Sequence, residues 1–151
     1  MLKIESDAFT HLDTIPMRHT CDGFDVSPPL TWSGVPPGTR SLALVVSDPD
    51  APDPDAPTTS WTHWIVYALP PFAASLPEDV SELPGQARVG LNDWGRREYG
   101  GPCPPRGVHR YVFDIYALDA ILGELESPTR PVVVDAMRGH VLAHAMLVGR
   151  Y

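Results

Sequence analysis

The chain is poor in positive charge and has a single lysine, Lys3. It carries 11 basic and 19 acidic residues, which gives a formal net charge of −8 at pH 7. Proteins that bind duplex DNA or RNA backbones present broad basic faces, and this composition does not supply one. Attraction to anionic lipid is weak for the same reason. The charge therefore argues against nucleic acid and membrane surfaces as partners.

Long hydrophobic runs are also missing. The sequence contains no stretch of about 18 consecutive apolar residues, the length that indicates a membrane-spanning helix. The N-terminal segment has no basic start followed by an apolar run, which a secretory signal would show. We expect a protein that is neither exported nor integrated into a membrane, and we predict a cytoplasmic location.

The common motifs of cofactor, nucleophile and metal chemistry do not occur in the sequence. It has no dinucleotide or phosphate-binding glycine loop, no nucleophile elbow and no zincin motif. We therefore predict no cofactor and no metal. One minor alternative is a metal site formed by His140 and His144, whose spacing would place them on one helix face.

A tandem repeat, Asp-Pro-Asp-Ala-Pro, occupies positions 48–57 and concentrates acidic side chains. An EF-hand calcium loop requires glycine at its sixth position, where this chain has Asp53. We therefore expect Asp50, Asp53 and Asp55 to lie in a solvated acidic loop.

Cysteine is scarce. Cys21 and Cys103 are the two cysteines, and neither lies in a Cys-x-x-Cys motif or beside histidines at metal-binding spacing. We predict two free thiols in a reducing compartment, with a single disulfide as the alternative.

Proline and glycine are abundant, with 18 and 12 residues, yet 43% of the chain is hydrophobic. That composition is too apolar for a disordered polymer, so the prolines must lie in ordered loops of one domain that spans residues 1–151.

Three segments have the pattern of β-strands, at 41–47, 62–69 and 109–118. The first is almost continuously apolar, the second is rich in β-branched and aromatic residues, and the third alternates with Tyr111, Phe113 and Ile115 on one face. Shorter extended pieces are predicted near 4–9, 29–32 and 145–151. One helix is predicted at 130–142, where Val134, Met137 and Val141 would share a face. This order predicts a mainly β protein, an antiparallel sandwich with one C-terminal helix and a few short helical turns.

Five ordered motifs lie between residues 27 and 111. They are Ser27-Pro28-Pro29-Leu30 with Trp32, Asp48-Pro49-Asp50-Ala51-Pro52, Trp61-x-His63-Trp64, Gly100-Gly101-Pro102-Cys103-Pro104-Pro105 and His109-Arg110-Tyr111. Their pattern resembles the phosphatidylethanolamine-binding protein family, also called the Raf kinase inhibitor protein family. The segment Cys21-Asp22-Gly23 and the ending Gly139-His140-Val141-Leu142-Ala143 with Leu147-Val148-Gly149-Arg150-Tyr151 are similar to its compact bacterial and archaeal branch, so the resemblance covers nearly the whole chain.

The resemblance implies Greek-key connections and a small pocket for phosphate-like anions at one end of the sandwich. Its lining would be Asp48, Pro52, Trp61, His63, Gly101, Pro104, Pro105, His109 and Tyr111. The duplicated repeat leaves a second register open, in which Asp53 and Pro57 replace Asp48 and Pro52. A homodimer is expected by analogy with the compact relatives.

The chemistry of these residues suits an anion. Histidines His63 and His109 can donate hydrogen bonds, Tyr111 offers a hydroxyl, and the backbone at Gly101 allows close approach. We expect Asp48 to orient one imidazole, and an X-Pro bond in the proline-rich loops is a candidate for the cis form.

The leading hypothesis is therefore a non-enzymatic protein that binds small anions or phosphorylated groups and modulates a partner protein. The alternative is inhibition of a serine protease or kinase through the proline-rich loops. A weak hydrolase that uses Asp48 and His63 as an acid–base pair ranks third. The acidic background predicts modest affinity for free phosphate, about 4 to 6 kcal/mol.

Overall fold

A computed structural model describes residues 1–126 and 128–151 of the chain. These residues form eight β-strands, one α-helix and one short 3₁₀ turn. The elements are β1 (Lys3–Glu5), the 3₁₀ turn (Met17–His19), β2 (Leu30–Ser33), β3 (Ser41–Ala51), β4 (Thr59–Leu69), β5 (Ser75–Leu76), β6 (Arg88–Val89), β7 (Arg110–Leu118), α1 (Arg130–Met137) and β8 (Val141–Arg150).

Two sheets pack face to face. The small sheet has the order β1-β2-β5 and the large sheet the order β6-β4-β3-β7-β8, and each pair of neighbouring strands is antiparallel. Leu30 and Trp32 from the small sheet pack against Leu44, Val66 and Phe113 from the large sheet in one buried cluster. The predicted antiparallel β-sandwich is confirmed.

A second buried cluster lies on the opposite face of the large sheet. Helix α1 places Val133 and Met137 against Ala43 and Ile65 of the central strands. Strands β3 and β4 are therefore covered on both faces, which explains the almost continuously apolar sequence at 41–47. Within the described residues, no helix is long and apolar enough to cross a membrane.

The three predicted main strands are present, and two of them are longer than their apolar runs. Strand β3 continues to Ala51 and β4 begins at Thr59, so both extend beyond the apolar segments into polar sequence. The alternation in β7 is confirmed, because Tyr111, Phe113 and Ile115 are all buried in the core between the sheets. The extra length matters because it carries polar side chains to one end of the large sheet.

The prediction of a helix through residue 142 is wrong. Helix α1 ends at Met137, and Gly139 follows with a φ of +81°, a left-handed conformation that suits glycine and ends the helix. Val134 and Val141 are 37% and 45% exposed. The buried face of α1 instead uses Val133 and Met137, and the chain continues directly into β8.

The histidines considered as a metal pair lie outside the helix. His144 lies in β8 and its Nε2 is 2.6 Å from Asp114, whereas His140 Nδ1 is 2.8 Å from Asp119. The helical spacing on which the alternative depended therefore does not exist. The described residues contain no cluster of three or more histidine, cysteine or acidic side chains that could hold a metal.

The prediction of free thiols is also wrong. Cys21 and Cys103 form a disulfide across a sequence separation of 82 residues. It joins the loop after the 3₁₀ turn to the proline-rich loop before β7, and the Cys21 amide donates to the Pro102 carbonyl beside it. Both cysteines are exposed to solvent. The argument for a reducing compartment, which rested on free thiols, therefore no longer applies.

The disulfide predicts that the denatured, unreduced protein contains no reactive thiol. Replacing both cysteines by serine should lower the free energy of unfolding by about 2 to 4 kcal/mol, because the cross-link restricts a long loop of the unfolded chain. Thiol titration and urea unfolding measure the two effects. Reduced wild-type protein serves as the control and should match the double variant, whereas two titratable thiols before reduction would contradict the cross-link.

Candidate functional site

A cavity of about 230 Å³ lies at one end of the large sheet, and we call it the sheet-end cavity. Its lining is Asp48, Ala51, Pro52, Trp61, His63, Trp94, Cys103, Pro104, Pro105, His109 and Tyr111. Eight of the nine residues predicted for the pocket are therefore brought together, and Gly101 is the exception.

Antiparallel pairing explains why distant motifs meet there. Val46 of β3 pairs with Trp64 of β4 on one side and with Phe113 of β7 on the other. The C-terminal end of β3 therefore lies beside the N-terminal ends of both neighbours. The same arrangement places Asp48 opposite Trp61, close to the start of β7.

Asp48 and His109 form a buried contact in the wall of the cavity. His109 Nδ1 lies 2.6 Å from an Asp48 carboxylate oxygen, and both side chains are buried. The other Asp48 oxygen accepts a hydrogen bond from the Asp50 amide. The expectation that Asp48 orients an imidazole thus matches the geometry, with His109 as the ring it holds.

Both ring nitrogens of His109 are engaged. Nε2 lies 2.7 Å from the Arg106 carbonyl oxygen, which can only accept. The Asp48 carboxyl group occupies Nδ1 in the same way, so both ring nitrogens of His109 are used within the wall of the cavity. We expected His109 to donate to an anion, but it has no N–H left to offer in this arrangement.

At His63, by contrast, only one of the two ring nitrogens has a hydrogen-bond partner within the described part of the chain. Its Nδ1 lies 2.6 Å from the Gly100 carbonyl oxygen, so this nitrogen carries the hydrogen and donates. Its Nε2 is buried and has no hydrogen-bond partner among the described residues. Burial lowers the pKa of His63, and the backbone of Gly100, the carboxylates of Asp48 and Asp93 and the backbone of Gly101 oppose that shift only in part. In the neutral ring, Nε2 is a hydrogen-bond acceptor.

Two further lining side chains have polar atoms without partners. Trp61 Nε1 and the Tyr111 hydroxyl are both buried and make no hydrogen bond to the described residues. Burial, followed by the charges of Asp48 and Asp50, raises the pKa of Tyr111, so its phenol keeps its proton. The indole can only donate, and the phenol can donate or accept.

Trp94 completes the aromatic wall and was not predicted. Its ring makes edge contacts with His63 at 5.0 Å and with Trp61 at 5.6 Å between centroids. A Cβ on Gly100 would lie 2.5 Å from the Trp94 ring, so glycine is required for this close packing. The Asn92 side chain, which accepts from the amides of Trp94 and Arg96, fixes the turn. Asn92 is the one asparagine in the sequence, and it is the sequence feature that could have indicated this turn.

Gly101 lies outside the sheet-end cavity and has a different role. Its amide donates to the Asp25 carboxylate at 2.8 Å and is therefore unavailable to a ligand. A Cβ at this position would meet Asp25 and the His19 carbonyl oxygen at 2.3 Å. Glycine here allows the proline-rich loop to pack against residues 19–25, which is a structural requirement.

The two copies of the acidic repeat have different environments. The first copy supplies Asp48 and Pro52 to the cavity, and the Ala51–Pro52 peptide bond is cis. Asp53 of the second copy lies outside the lining, and its carboxylate accepts from the Asp55 amide. The structure therefore favours the first register, with Asp48 rather than Asp53 in the cavity.

Asp50 is buried, so the expectation of a solvated carboxylate is wrong for this residue. Its two oxygens lie 3.0 Å from Arg110 Nε and 2.8 Å from Arg110 Nη2, and it also accepts from the Arg110 amide. The guanidinium holds the pKa of Asp50 below its ordinary value. This bidentate pair joins the end of β3 to the start of β7 and compensates the charge of Arg110.

Replacing Asp48 by asparagine should lower the free energy of unfolding by about 3 to 5 kcal/mol, because it leaves the buried His109 without its anionic partner. Asp53→Asn, in the second copy of the repeat, is the matched control and should change stability by less than about 0.5 kcal/mol. Urea unfolding at neutral pH measures both variants. Equal effects of the two substitutions would contradict the assignment of Asp48.

Asp50→Asn should reduce the acid sensitivity of the fold. Because the pKa of Asp50 is lowered in the folded state, its stabilisation is present above the ordinary carboxyl pKa and is lost as the pH falls through the folded-state value. The variant should therefore be less stable than wild type at neutral pH and converge with it in acid. A constant difference at all pH values, measured by urea unfolding, would contradict this account.

Comparison with known proteins identifies the relatives of the chain. Residues 5–151 match the family model described as phosphatidylethanolamine-binding protein. A UPF0098 protein of Methanothermobacter thermautotrophicus is 45% identical over 153 residues, which cover 99% of this chain and 98% of the relative. A UPF0098 protein of Chlamydia muridarum is 42% identical over 150 residues, with the same coverage.

Comparison with solved structures leads to the same family. A phosphatidylethanolamine-binding protein homologue from Chlamydia trachomatis superimposes with a TM-score of 0.91 at 41% identity, covering 99% of this chain and 96% of that one. E. coli YbcL, described as a member of the mammalian family, gives a TM-score of 0.89 at 33% identity, with coverage of 99% and 97%. On sequence and on structure, the chain belongs to the phosphatidylethanolamine-binding protein family.

Proposed function

We propose that this protein is a non-enzymatic binding protein whose sheet-end cavity receives a small anion, most often the phosphorylated group of a larger molecule. Binding of that group would be the means by which the protein recognises, and so modulates, a partner. The proposal includes no cofactor and no metal.

One observation carries the proposal, namely that Trp61, His63 and Tyr111 line the cavity with buried polar atoms that lack partners. An unsatisfied buried polar atom costs about 1 to 3 kcal/mol. Three such atoms around one cavity indicate that a bound group supplies their partners. Phosphoryl oxygens suit the indole and the phenol, because both can donate to them.

The size of the cavity limits what enters it. At about 230 Å³ it is smaller than typical pockets for drug-sized ligands, which measure about 300 to 1,000 Å³. A phosphoryl group with a short substituent fits within this volume. The family is named after a phospholipid, and for this chain the volume suits a headgroup and excludes acyl chains.

The charges around the cavity support modest affinity. His109 is held by the Asp48 carboxyl group, and the Arg110 guanidinium is paired with Asp50. The site therefore offers polar donors and little net positive charge. Binding of free phosphate should lie in the millimolar to high-micromolar range, about 4 to 6 kcal/mol.

The positions of the polar groups argue against hydrolysis. The hydrolase hypothesis needs Asp48 to act with His63, but Asp48 bonds to His109 and the Nδ1 of His63 bonds to Gly100. Cys103 also lines the cavity, and its sulfur is held in the disulfide, so it supplies no thiolate nucleophile. These contacts favour binding over catalysis.

Tyr111→Phe tests the proposal by separating binding from stability. The variant should bind inorganic phosphate about tenfold more weakly, because one hydrogen bond to a charged group is lost. Its free energy of unfolding without phosphate should be equal to or above that of wild type, since a buried hydroxyl without a partner is removed. NMR titration and urea unfolding measure the two quantities.

Tyr116→Phe is the matched control, because Tyr116 lies on the same strand but packs with the second cluster on the outer face. It should leave phosphate binding unchanged. If wild-type signals of Trp61, His63 and Tyr111 do not respond to phosphate well above millimolar concentration, the proposed function fails.

A further inference from the structure

The sheet-end cavity has no cation with a free charge among its lining residues. The two histidines are the lining residues that can be positively charged, and the lining contains no lysine or arginine. Both ring nitrogens of His109 are used by Asp48 and the Arg106 carbonyl. The Asp48 carboxylate adds a negative charge to the wall. A doubly charged anion would therefore lose its hydration without a compensating cation, which is costly.

His63 lines the same cavity, and its buried Nε2 has no hydrogen-bond partner among the described residues. Because the Gly100 carbonyl cannot donate, it fixes the hydrogen on Nδ1, and the neutral ring then has an unprotonated Nε2. The ionisable groups around His63 are Asp48 on β3, Asp93 on the loop after β6, His109 directly before β7 and Tyr111 in β7. Burial of His63 favours the neutral ring against the two carboxylates. A bare oxyanion placed against Nε2 would meet a lone pair.

The three unpartnered atoms therefore form a mixed set. Trp61 Nε1 and the Tyr111 hydroxyl can donate, whereas His63 Nε2 accepts. The complementary ligand has at least two acceptor oxygens and one O–H. A singly protonated phosphomonoester meets this description. Sulfate at neutral pH and a phosphodiester have the oxygens and lack the O–H.

We propose that the sheet-end cavity selects phosphomonoesters in their singly protonated form, an inference that rests on the proposed function. The P–O–H group donates to His63 Nε2, and two phosphoryl oxygens accept from Trp61 and Tyr111. His63 is then the residue that determines specificity, because its Nε2 accepts a hydrogen bond that only a ligand with a P–O–H group can donate. Phosphodiesters and unprotonated oxyanions are disfavoured.

Three small probes separate the contributions of charge and proton. Methyl phosphate loses its second proton with a pKa of about 6, so its singly protonated form is abundant at about pH 6 and scarce at about pH 8. Dimethyl phosphate has the same single charge at both pH values and no O–H. Sulfate is a dianion without a proton.

Isothermal titration of the 151-residue chain should show methyl phosphate binding at least about tenfold more tightly at about pH 6 than at about pH 8. At the lower pH, dimethyl phosphate and sulfate should each bind at least about tenfold more weakly than methyl phosphate. Nitrogen NMR of the methyl phosphate complex should show His63 as a neutral ring protonated at Nδ1.

Two results would overturn the inference while leaving the proposed function intact. One is equal binding of methyl and dimethyl phosphate. The other is an imidazolium signal from His63 in the complex together with pH-dependent sulfate binding, since the ring would then supply the proton. If none of the three probes binds at either pH, the proposed function itself fails.

His63→Leu supplies a further check, because its side chain has no acceptor where the imidazole Nε2 accepts. The ratio of methyl to dimethyl phosphate affinity should fall towards one in this variant. His144→Leu, on the exposed part of β8, is the control and should keep the wild-type ratio. An unchanged ratio in folded His63→Leu would contradict the role of His63.

Discussion

The buried contact between Asp48 and His109 is the interaction on which the candidate site depends. It joins the C-terminal end of β3 to the residue that precedes β7, and the second carboxylate oxygen of Asp48 holds the Asp50 amide. Asp50 in turn binds Arg110, so two adjacent acidic residues connect the same two strands. These contacts fix the position of Tyr111 beside the cavity and compensate the charge of Arg110. The wall of the cavity therefore contains polar groups without being strongly positive.

Two histidines of the cavity wall have different chemistry because of what surrounds them. His109 lies between the Asp48 carboxyl group and the Arg106 carbonyl, so both of its nitrogens are used within the wall. His63 meets one acceptor, the Gly100 carbonyl, so its buried Nε2 keeps a lone pair without a partner among the described residues. The first histidine has a structural role and the second is available for recognition. An acidic protein can in this way build an anion site from neutral donors and one acceptor.

The sequence predicted most of the fold and the lining, for identifiable reasons. Apolar and alternating segments indicated the positions of β3, β4 and β7. Of the nine residues that the motifs suggested for the pocket, eight line the sheet-end cavity. Two of the errors concern interactions between distant segments. Nothing local indicates that Cys21 meets Cys103, or that Gly101 packs against Asp25. Trp94 was missed because its place depends on a turn, and the helix end depended on one left-handed glycine.

Trp61, His63 and Tyr111 are proposed to hold one phosphoryl group together. We would test this arrangement with a crystal structure of the protein grown with methyl phosphate at about pH 6. We expect phosphoryl density in the sheet-end cavity, with oxygens within about 3.2 Å of Trp61 Nε1, Tyr111 Oη and His63 Nε2. Density that bonds elsewhere on the molecule, or a cavity filled by water at saturating ligand, would contradict it.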